Sequence, residues 1–552
     1  MAGRGKKGYL CMVLHAHLPY VRHPECPFFL EENWLYEAMT ETYIPLLDLL
    51  SRLVDGGIDF RLTLSLSPSL AEMLNDDLLM QRYVTYMERL IELAEAERRR
   101  TRRSVRFAPV IQMYLNRFRR IRYLFETVYR KRLIPVFSAV QQTGHLEIIP
   151  SAATHAYLPH LSLFPQAVKA QIRIGLQQYG DNFGQRPHGI WLPECGFLPG
   201  FDAYVREEGV TFFFLESHGI TRGSPSPRFG TYLPVFCPSR TVAFGRNADV
   251  SRQVWSSFGG YPGDRDYRDF YRDAGFEVDE DHVRVFLEPY CAKTYTGLKY
   301  FRITGNTDRK KPYAAERARL KAREHARHFI ESREDQMTRL HSDNRIRPVV
   351  TAAYDAELFG HWWFEGIQWL EELFREMNCR CRNFALITPS EYLRMPAPRM
   401  QVSEPSASSW GKRGYHDVWL NDCNDYIYRH LLKATERMID LADRFADAEG
   451  MLRRALNQAA RELLLCQHSD WTFMMGNNTS ADYARRRFTT HISRFTHLYE
   501  AILSGSVQER LLTELEDRDR IFQTIDYRVY RDGGRSSVSR LSEVSPYPSN
   551  LS

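Results

Sequence analysis

Short apolar runs alternate with helical stretches along most of this chain, and this alternation constrains the fold more than any other feature. The apolar runs read as buried strands at 9–14, 60–66, 146–149, 189–192, 212–215, 283–287 and 348–352. Segments with three-to-four-residue apolar spacing, typical of helices, lie at 35–53, 165–179, 314–333 and 358–377. Strand–helix alternation of this length predicts a mostly parallel α/β sheet, and favours a closed barrel.

The composition along the chain divides it into regions. We predict a catalytic barrel domain over 8–400, with a helical, arginine-rich insertion at about 70–135. Three amphipathic stretches at 425–447, 451–467 and 480–503 predict a C-terminal helical domain over 405–528. Residues 531–552 are rich in Ser, Gly, Pro and Arg, which predicts a disordered tail.

Charge and cysteine usage exclude several classes of protein. A net charge of +6 over 552 residues is too small to indicate nucleic-acid binding. No apolar run approaches the roughly 18 residues of a membrane span, and the N-terminal apolar stretch is too short for a signal peptide. The nine cysteines form no C-x-x-C pair, which is typical of reduced thiols. We expect a cytoplasmic protein without a membrane or nucleic-acid partner, and a monomer is compatible with the sequence.

Two carboxylates stand among aromatic and glycine residues, directly after predicted strands. Glu194 lies in the segment GIWLPECG, and Asp355 lies in the segment AYDAELFGHWW. Two carboxylates at strand ends, flanked by tryptophans, suit glycosidic-bond chemistry, in which one attacks the anomeric carbon and the other protonates the leaving oxygen. Tryptophan faces can also stack on sugar rings. The pair therefore favours a carbohydrate-active enzyme over a non-catalytic glycan-binding protein.

Histidines add further candidates. His15 and His17 follow the first strand, and residues two apart in extended chain face the same side. They could be a metal pair, as in a metal-dependent deacetylase or mannosidase, or they could bind sugar hydroxyl groups. We favour sugar binding, because no convincing third ligand lies nearby in the sequence. A further carboxylate, Glu357, lies two residues after Asp355. If a helix begins there, Glu357 is a charge at the helix N-terminus rather than a catalytic group.

Five short segments, taken in order, resemble the motifs of glycoside hydrolase family 57. They are HAHLPY at 15–20, GHLEII at 144–149 with Thr154-His155, WLPE at 191–194, YDAELFGH at 354–361 and SDW at 469–471. The resemblance covers about 9–527. It implies a distorted (β/α)7 barrel with a helical insertion and a C-terminal all-α domain beside the cleft. It also implies Glu194 as nucleophile and Asp355 as general acid/base.

Within the family, segments at 253–256, 260–264, 267–273 and 409–411 look most like those of α-1,4-glucan branching enzymes. Such an enzyme cleaves an α-1,4-glucan and transfers it to a 6-hydroxyl group of a second glucan, with retention. The alternatives are an α-amylase or a 4-α-glucanotransferase on the same scaffold.

The resemblance implies no metal or cofactor. Thr479 stands where such branching enzymes can carry a glutamine. Phe244 and Tyr232 are the candidates for a residue on a mobile loop over the cleft. The expected substrate contacts are His15, His17, His155, Trp191, Arg246, Gly263, His361, Trp362, Trp410, Trp419, Asp470 and Thr479.

Overall fold

The computed structural model describes residues 5–256, 259–290, 292–381, 383–396 and 400–531. The tail predicted at 531–552 therefore lies outside the described residues beyond Arg531. In chain order, the strands β1 to β9 are Gly8–Ala16, Leu62–Leu66, Leu146–Ile149, Gly189–Ile190, Phe212–Leu215, Val235–Phe236, Val242–Gly245, Val349–Asp355 and Phe384–Leu386.

Seven of these strands form a closed ring. One arc has the order β3-β2-β1-β8 and the other begins β4-β5-β7, with all pairs parallel. Two isolated parallel bridges join the arcs, from Ser151 to Trp191 and from Arg246 to Thr351. All nine residues of β1 are buried, as expected for a parallel strand covered on both faces. The predicted α/β class is confirmed, and the seven-stranded ring agrees with the implied barrel.

Helices surround the ring and form most of the remaining chain. In chain order, α1 to α20 span Glu32–Ala38, Ile44–Asp55, Pro68–Asn75, Asp77–Thr101, Ala108–Tyr123, Ile134–Gln142, Pro165–Phe183, Phe201–Glu207, Ser217–Thr221, Ala248–Trp255, Ala274–Glu277, Glu280–Leu287, Ala315–Asn344, Gly366–Arg380, Pro389–Leu393, Tyr426–Arg444, Gly450–Cys466, Ser469–Asn477, Ala481–Ser504 and Glu509–Arg518. A π-helical turn, Met39–Tyr43, connects α1 to α2. Among the described residues, no helix is both long and apolar enough to cross a membrane.

One predicted strand is wrong. Residues 283–287 are the second half of helix α12, which begins after Asp279 caps the backbone N–H of Asp281. Val283, Phe286 and Leu287 are all buried, and their spacing places them on one face of a helix. The apolar run was too short to separate a strand from a buried helix face.

The C-terminal helices α16 to α20 pack beside the barrel. Helices α17 and α19 contact each other extensively, and α18 packs on α19. The short helix α18 begins at the barrel itself, because the backbone N–H of Ser469 donates to the His155 carbonyl at 3.2 Å. This contact brings the start of α18 to the carboxyl ends of the barrel strands.

Candidate active site

Glu194 lies just after β4 in a strained backbone conformation. Its φ is +60° and its ψ is 19°, a left-handed conformation that is uncommon for a residue other than glycine. The Trp410 indole Nε1 donates to Glu194 Oε2 at 2.8 Å, and the Ser469 hydroxyl donates to Oε1 at 3.1 Å. The pKa of Glu194 is raised to about 7, mainly by burial and secondly by the charge of Asp470. Two donors therefore hold this carboxyl group in a fixed orientation.

Asp355 is the last residue of β8, where it pairs in register with His15 of β1. Burial raises the pKa of Asp355 to about 6, while the positive charge of Arg246 opposes this rise. Arg246 is held by Glu216 at 3.0 Å and by the Ala353 carbonyl at 3.1 Å. The charge of Asp355 in turn contributes to the raised pKa of Glu194, so the two carboxyl groups influence each other.

Glu357 is a third buried carboxyl group at the site. Its Oε1 accepts hydrogen bonds from the Tyr43 hydroxyl and from the backbone N–H of His17, the latter at 3.2 Å. Burial, followed by the charge of Asp355, raises the pKa of Glu357 to about 8. The sequence suggested only a helix-terminal charge here, and the structure instead joins Glu357 to two other segments of the barrel.

Three histidines form a stack between the barrel and α18. His15 and His155 are hydrogen-bonded through their Nε2 atoms at 2.9 Å, and the rings of His17 and His155 are 3.8 Å apart. Burial, followed by the charge of His17, lowers the pKa of His15 and of His155 well below the usual value. Burial also disfavours protonation of His17, but Asp470, at 2.9 Å, outweighs it and raises the pKa. Within the stack, His15 and His155 are therefore shifted toward the neutral form, and His17 is shifted toward the protonated form by Asp470.

The donor atoms of His17, His155 and Asp470 lie within 4.8 Å of one another, a spacing that a metal ion could use. Asp470 is the third ligand that the sequence did not reveal. His17, however, already has partners on both ring nitrogens, Ser67 at 2.9 Å and Asp470 at 2.9 Å. A metal would have to displace these hydrogen bonds, so the donor set fits an ion pair better than a metal centre.

Tryptophans form one wall beside Glu194. Trp191 is fully buried and stacks on His15 with ring centres 4.6 Å apart. Trp410 packs edge-on against Trp191 at 5.1 Å and lies under the guanidinium of Arg246 at 5.3 Å. Trp419 is fully buried and stacks on Tyr157 at 4.4 Å. Trp419 therefore supports this wall and exposes no face to a sugar, which corrects the expected stacking role.

The remaining expected substrate contacts lie on loops and turns outside the tryptophan wall. His361 and Trp362 lie on the loop that follows Asp355, and Trp362 is about half exposed. Gly263 ends a short helical turn, and Thr479 is exposed after α18. Among the described residues, no backbone hydrogen bond connects either of them to Glu194 or Asp355.

Of the two loop candidates, Phe244 is a buried residue of β7, so it cannot be a mobile residue over the cleft. Tyr232 is half-buried in a short helical turn and stays a candidate.

The chain matches two family profiles, "Glycosyl hydrolase family 57" over residues 11–405 and "1,4-alpha-glucan branching enzyme, C-terminal" over residues 430–530. A 1,4-alpha-glucan branching enzyme from Thermococcus kodakarensis is 33% identical over 94% of this chain and 78% of the relative. The solved structure of an alpha-amylase from Thermotoga maritima is 41% identical, with a TM-score of 0.88, and covers 95% of this chain and 99% of its own. A branching enzyme of the same family from Pyrococcus horikoshii is 32% identical, with a TM-score of 0.86, over 97% and 98% of the two chains.

Proposed function

Since this chain belongs to glycosyl hydrolase family 57, we propose that it is a 1,4-α-glucan branching enzyme. It cleaves an α-1,4-glucan chain and transfers the cleaved segment to a 6-hydroxyl group of another chain. One observation carries the proposal: the region that matches the branching-enzyme C-terminal profile supplies groups to the site. Ser469 donates to Glu194 at 3.1 Å, and Asp470 pairs with His17 at 2.9 Å.

In the proposed mechanism, Glu194 attacks the anomeric carbon while Asp355 protonates the departing glycosidic oxygen. Asp355 then removes the proton from an incoming 6-hydroxyl group, which displaces Glu194 from the same carbon. The two inversions give net retention, and this mechanism works with carboxyl groups about 5–5.5 Å apart. The donors from Trp410 and Ser469 support Glu194 as the nucleophile, because they stabilise its ionised form.

The mechanism requires one proton on the pair, with Glu194 ionised and Asp355 protonated. The two raised pKa values, about 7 for Glu194 and about 6 for Asp355, bound the pH range in which the pair holds a single proton. Because Glu194 has the higher pKa, the single proton resides mainly on Glu194 in this range, and the state with ionised Glu194 and protonated Asp355 is the minor one. Both carboxyl groups are protonated below the range, and both are ionised above it. We therefore expect a narrow bell-shaped rate profile centred between pH 6 and 7, with both limbs belonging to the pair.

Hydrolysis is the alternative outcome for the same glycosyl-enzyme. The similarity to the alpha-amylase from Thermotoga maritima, at 41% identity, favours this second candidate. The chemistry is shared as far as the intermediate, which reacts with water in an amylase and with a sugar hydroxyl in a branching enzyme. The choice between the two depends on how well an acceptor chain is bound.

Proton NMR of amylose incubated with the purified protein separates the candidates. Growth of α-1,6 anomeric signals with few new reducing ends is the result we expect of a branching enzyme. Rising reducing ends without α-1,6 signals would make the protein an amylase. Binding of amylose without either change would leave a non-catalytic glycan-binding protein.

We also propose a cytoplasmic location for the enzyme. The eight cysteines within the described residues are all free thiols, which suits a reducing compartment. Its substrate partners would be α-1,4-glucans, both as donor and as acceptor. A monomeric state stays a prediction from the sequence.

A further inference from the structure

An exposed aromatic platform lies on the loop that follows Asp355. The Trp362 side chain is 52% exposed, and one face of its indole stacks on Phe270 with ring centres 4.3 Å apart and planes 26° apart. On Phe270 lies the ammonium of Lys299, 4.9 Å from the ring centre, and Asp273 holds this ammonium at 2.9 Å. The indole is therefore braced from behind, and its other face is open for stacking.

Two polar side chains stand together beside the platform. His361 Nδ1 is hydrogen-bonded to Glu41 at 2.7 Å, and Arg268 donates to the His361 carbonyl at 2.9 Å. With the ring fixed in this way, His361 Nε2 lies 4.0 Å from a carboxylate oxygen of Glu37. The side chains of His361 and Glu37 are 17% and 14% exposed. An ordered aromatic face beside partly exposed polar groups is the combination that binds a sugar ring and its hydroxyl groups.

The platform is connected to Glu357, the third buried carboxyl group of the site. The backbone N–H of Trp362 donates to the Glu357 carbonyl at 3.2 Å. On the facing segment, Tyr43 donates to the Glu357 side chain and Glu41 binds His361. Both lie in the π-helical turn Met39–Tyr43, and such turns occur frequently at functional sites.

The position of the platform indicates which part of the substrate it meets. Asp355, which ends β8 directly before this loop, is the group proposed to protonate the leaving oxygen. The group that protonates the leaving sugar later deprotonates the incoming one, so leaving and accepting chains occupy the same side of the cleft. A binding surface on the Asp355 loop is therefore on the acceptor side.

We propose that Trp362, His361 and Glu37 form an acceptor subsite, in which a glucose ring of the acceptor chain stacks on Trp362 while His361 and Glu37 bind its hydroxyl groups. This inference rests on the proposed branching function and adds to it a site that selects sugar over water. Burial, followed by the charge of Glu41, raises the pKa of Glu37 to about 8. At neutral pH, Glu37 can therefore both donate a hydrogen bond to a sugar hydroxyl and accept one.

The test compares Trp362→Ala with wild type on amylose, while the concentration of an added maltooligosaccharide acceptor is varied. We expect the KM for the acceptor to rise about tenfold. We also expect the ratio of α-1,6 linkages to new reducing ends to fall by a similar factor, because water does not need the aromatic platform and a sugar acceptor does. Trp362→Phe keeps an aromatic face and should restore most of the ratio. Tyr123→Ala is the matched control, because Tyr123 is a 53% exposed aromatic in the helical insertion.

A second pair of variants tests the polar part of the subsite. Glu37→Ala should weaken acceptor binding, whereas Glu37→Gln, which can still donate and accept, should restore it. An unchanged acceptor KM and linkage ratio in both Trp362→Ala and Glu37→Ala would overturn the subsite while wild-type branching persists. Absence of α-1,6 linkages in the wild type would instead refute the proposed function, and the subsite with it. If Trp362→Ala does not fold, the Glu37 pair decides the result.

Discussion

The hydrogen bond from Trp410 to Glu194 allows a quantitative test of how the nucleophile is held. The indole Nε1 donates to Glu194 Oε2 at 2.8 Å, and a hydrogen bond to a charged group contributes about 1.5–3 kcal/mol. Trp410→Phe removes the donor and keeps an aromatic ring against Trp191. Since about 1.4 kcal/mol corresponds to one pH unit, we expect the pKa of Glu194 to rise from about 7 to about 8–9.

A higher pKa leaves a smaller fraction of Glu194 ionised at neutral pH. The rate at pH 7 should therefore fall by about 5- to 50-fold. The alkaline limb of the rate profile, which belongs to the higher of the two pKa values, should move from about pH 7 to about pH 8–9. The assay is the initial rate of glycosidic cleavage from pH 5 to pH 9, with circular dichroism to verify folding. The reasoning is refuted if Trp410→Phe folds and keeps both the wild-type rate at pH 7 and the wild-type alkaline limb.

Trp419→Phe is the matched control for this experiment. Trp419 is fully buried in the same wall and stacks on Tyr157. Within the described part of the chain, its indole Nε1 has no hydrogen-bond partner. Trp419→Phe therefore makes the same ring change without removing a bond to the nucleophile, and its rate at pH 7 and its alkaline limb should match those of wild type.

Three further predictions concern pH and stability. Arg246→Gln removes the charge that opposes the raised pKa of Asp355, so the acidic limb of the rate profile, which belongs to the lower of the two pKa values, should move to higher pH. Burial is the main cause, and the charge of a neighbouring carboxylate the second, that raises the pKa of Asp519 to about 6. The protonated carboxyl group stabilises the fold below the pKa of Asp519 in the unfolded chain, and this stability is lost as pH rises through about 6. Asp519→Asn should therefore flatten the dependence of Tm on pH between about 4 and 6. Gly360 has a φ of +104°, and a Cβ there would lie 2.0 Å from the Glu41 carbonyl oxygen, so Gly360→Ala should lower the free energy of unfolding by about 2 kcal/mol or more, measured by chemical denaturation.

Much of the barrel could be predicted from the sequence, because buried parallel strands are continuous apolar runs. Strands β1, β3, β5 and β8 overlap the predicted runs closely. The run at 283–287 misled because its buried residues also fit one face of a helix. Strand β7, Val242–Gly245, was missed because it lies in a Gly- and Pro-rich region and has only four residues. Its neighbour Arg246 was nevertheless expected at the site, through the family resemblance.

The groups around the catalytic pair were harder to predict, since they depend on contacts between distant segments. Nothing local in the sequence relates Tyr43 to Glu357, or Glu37 to His361, because each pair is separated by more than 300 residues. Asp470 was expected to contact substrate from the resemblance alone. Its ion pair with His17 could not be inferred until the helical domain was placed against the barrel.

Covalent trapping of the nucleophile tests the account most directly. An activated substrate such as α-maltosyl fluoride needs no acid to leave, so Asp355→Ala should still form the glycosyl-enzyme but should break it down slowly. Mass spectrometry of the intact protein, followed by peptide mapping, should then find one added maltosyl group on Glu194. An adduct on another residue, or none in a folded variant that consumes the fluoride, would contradict the two-carboxylate mechanism proposed for this site.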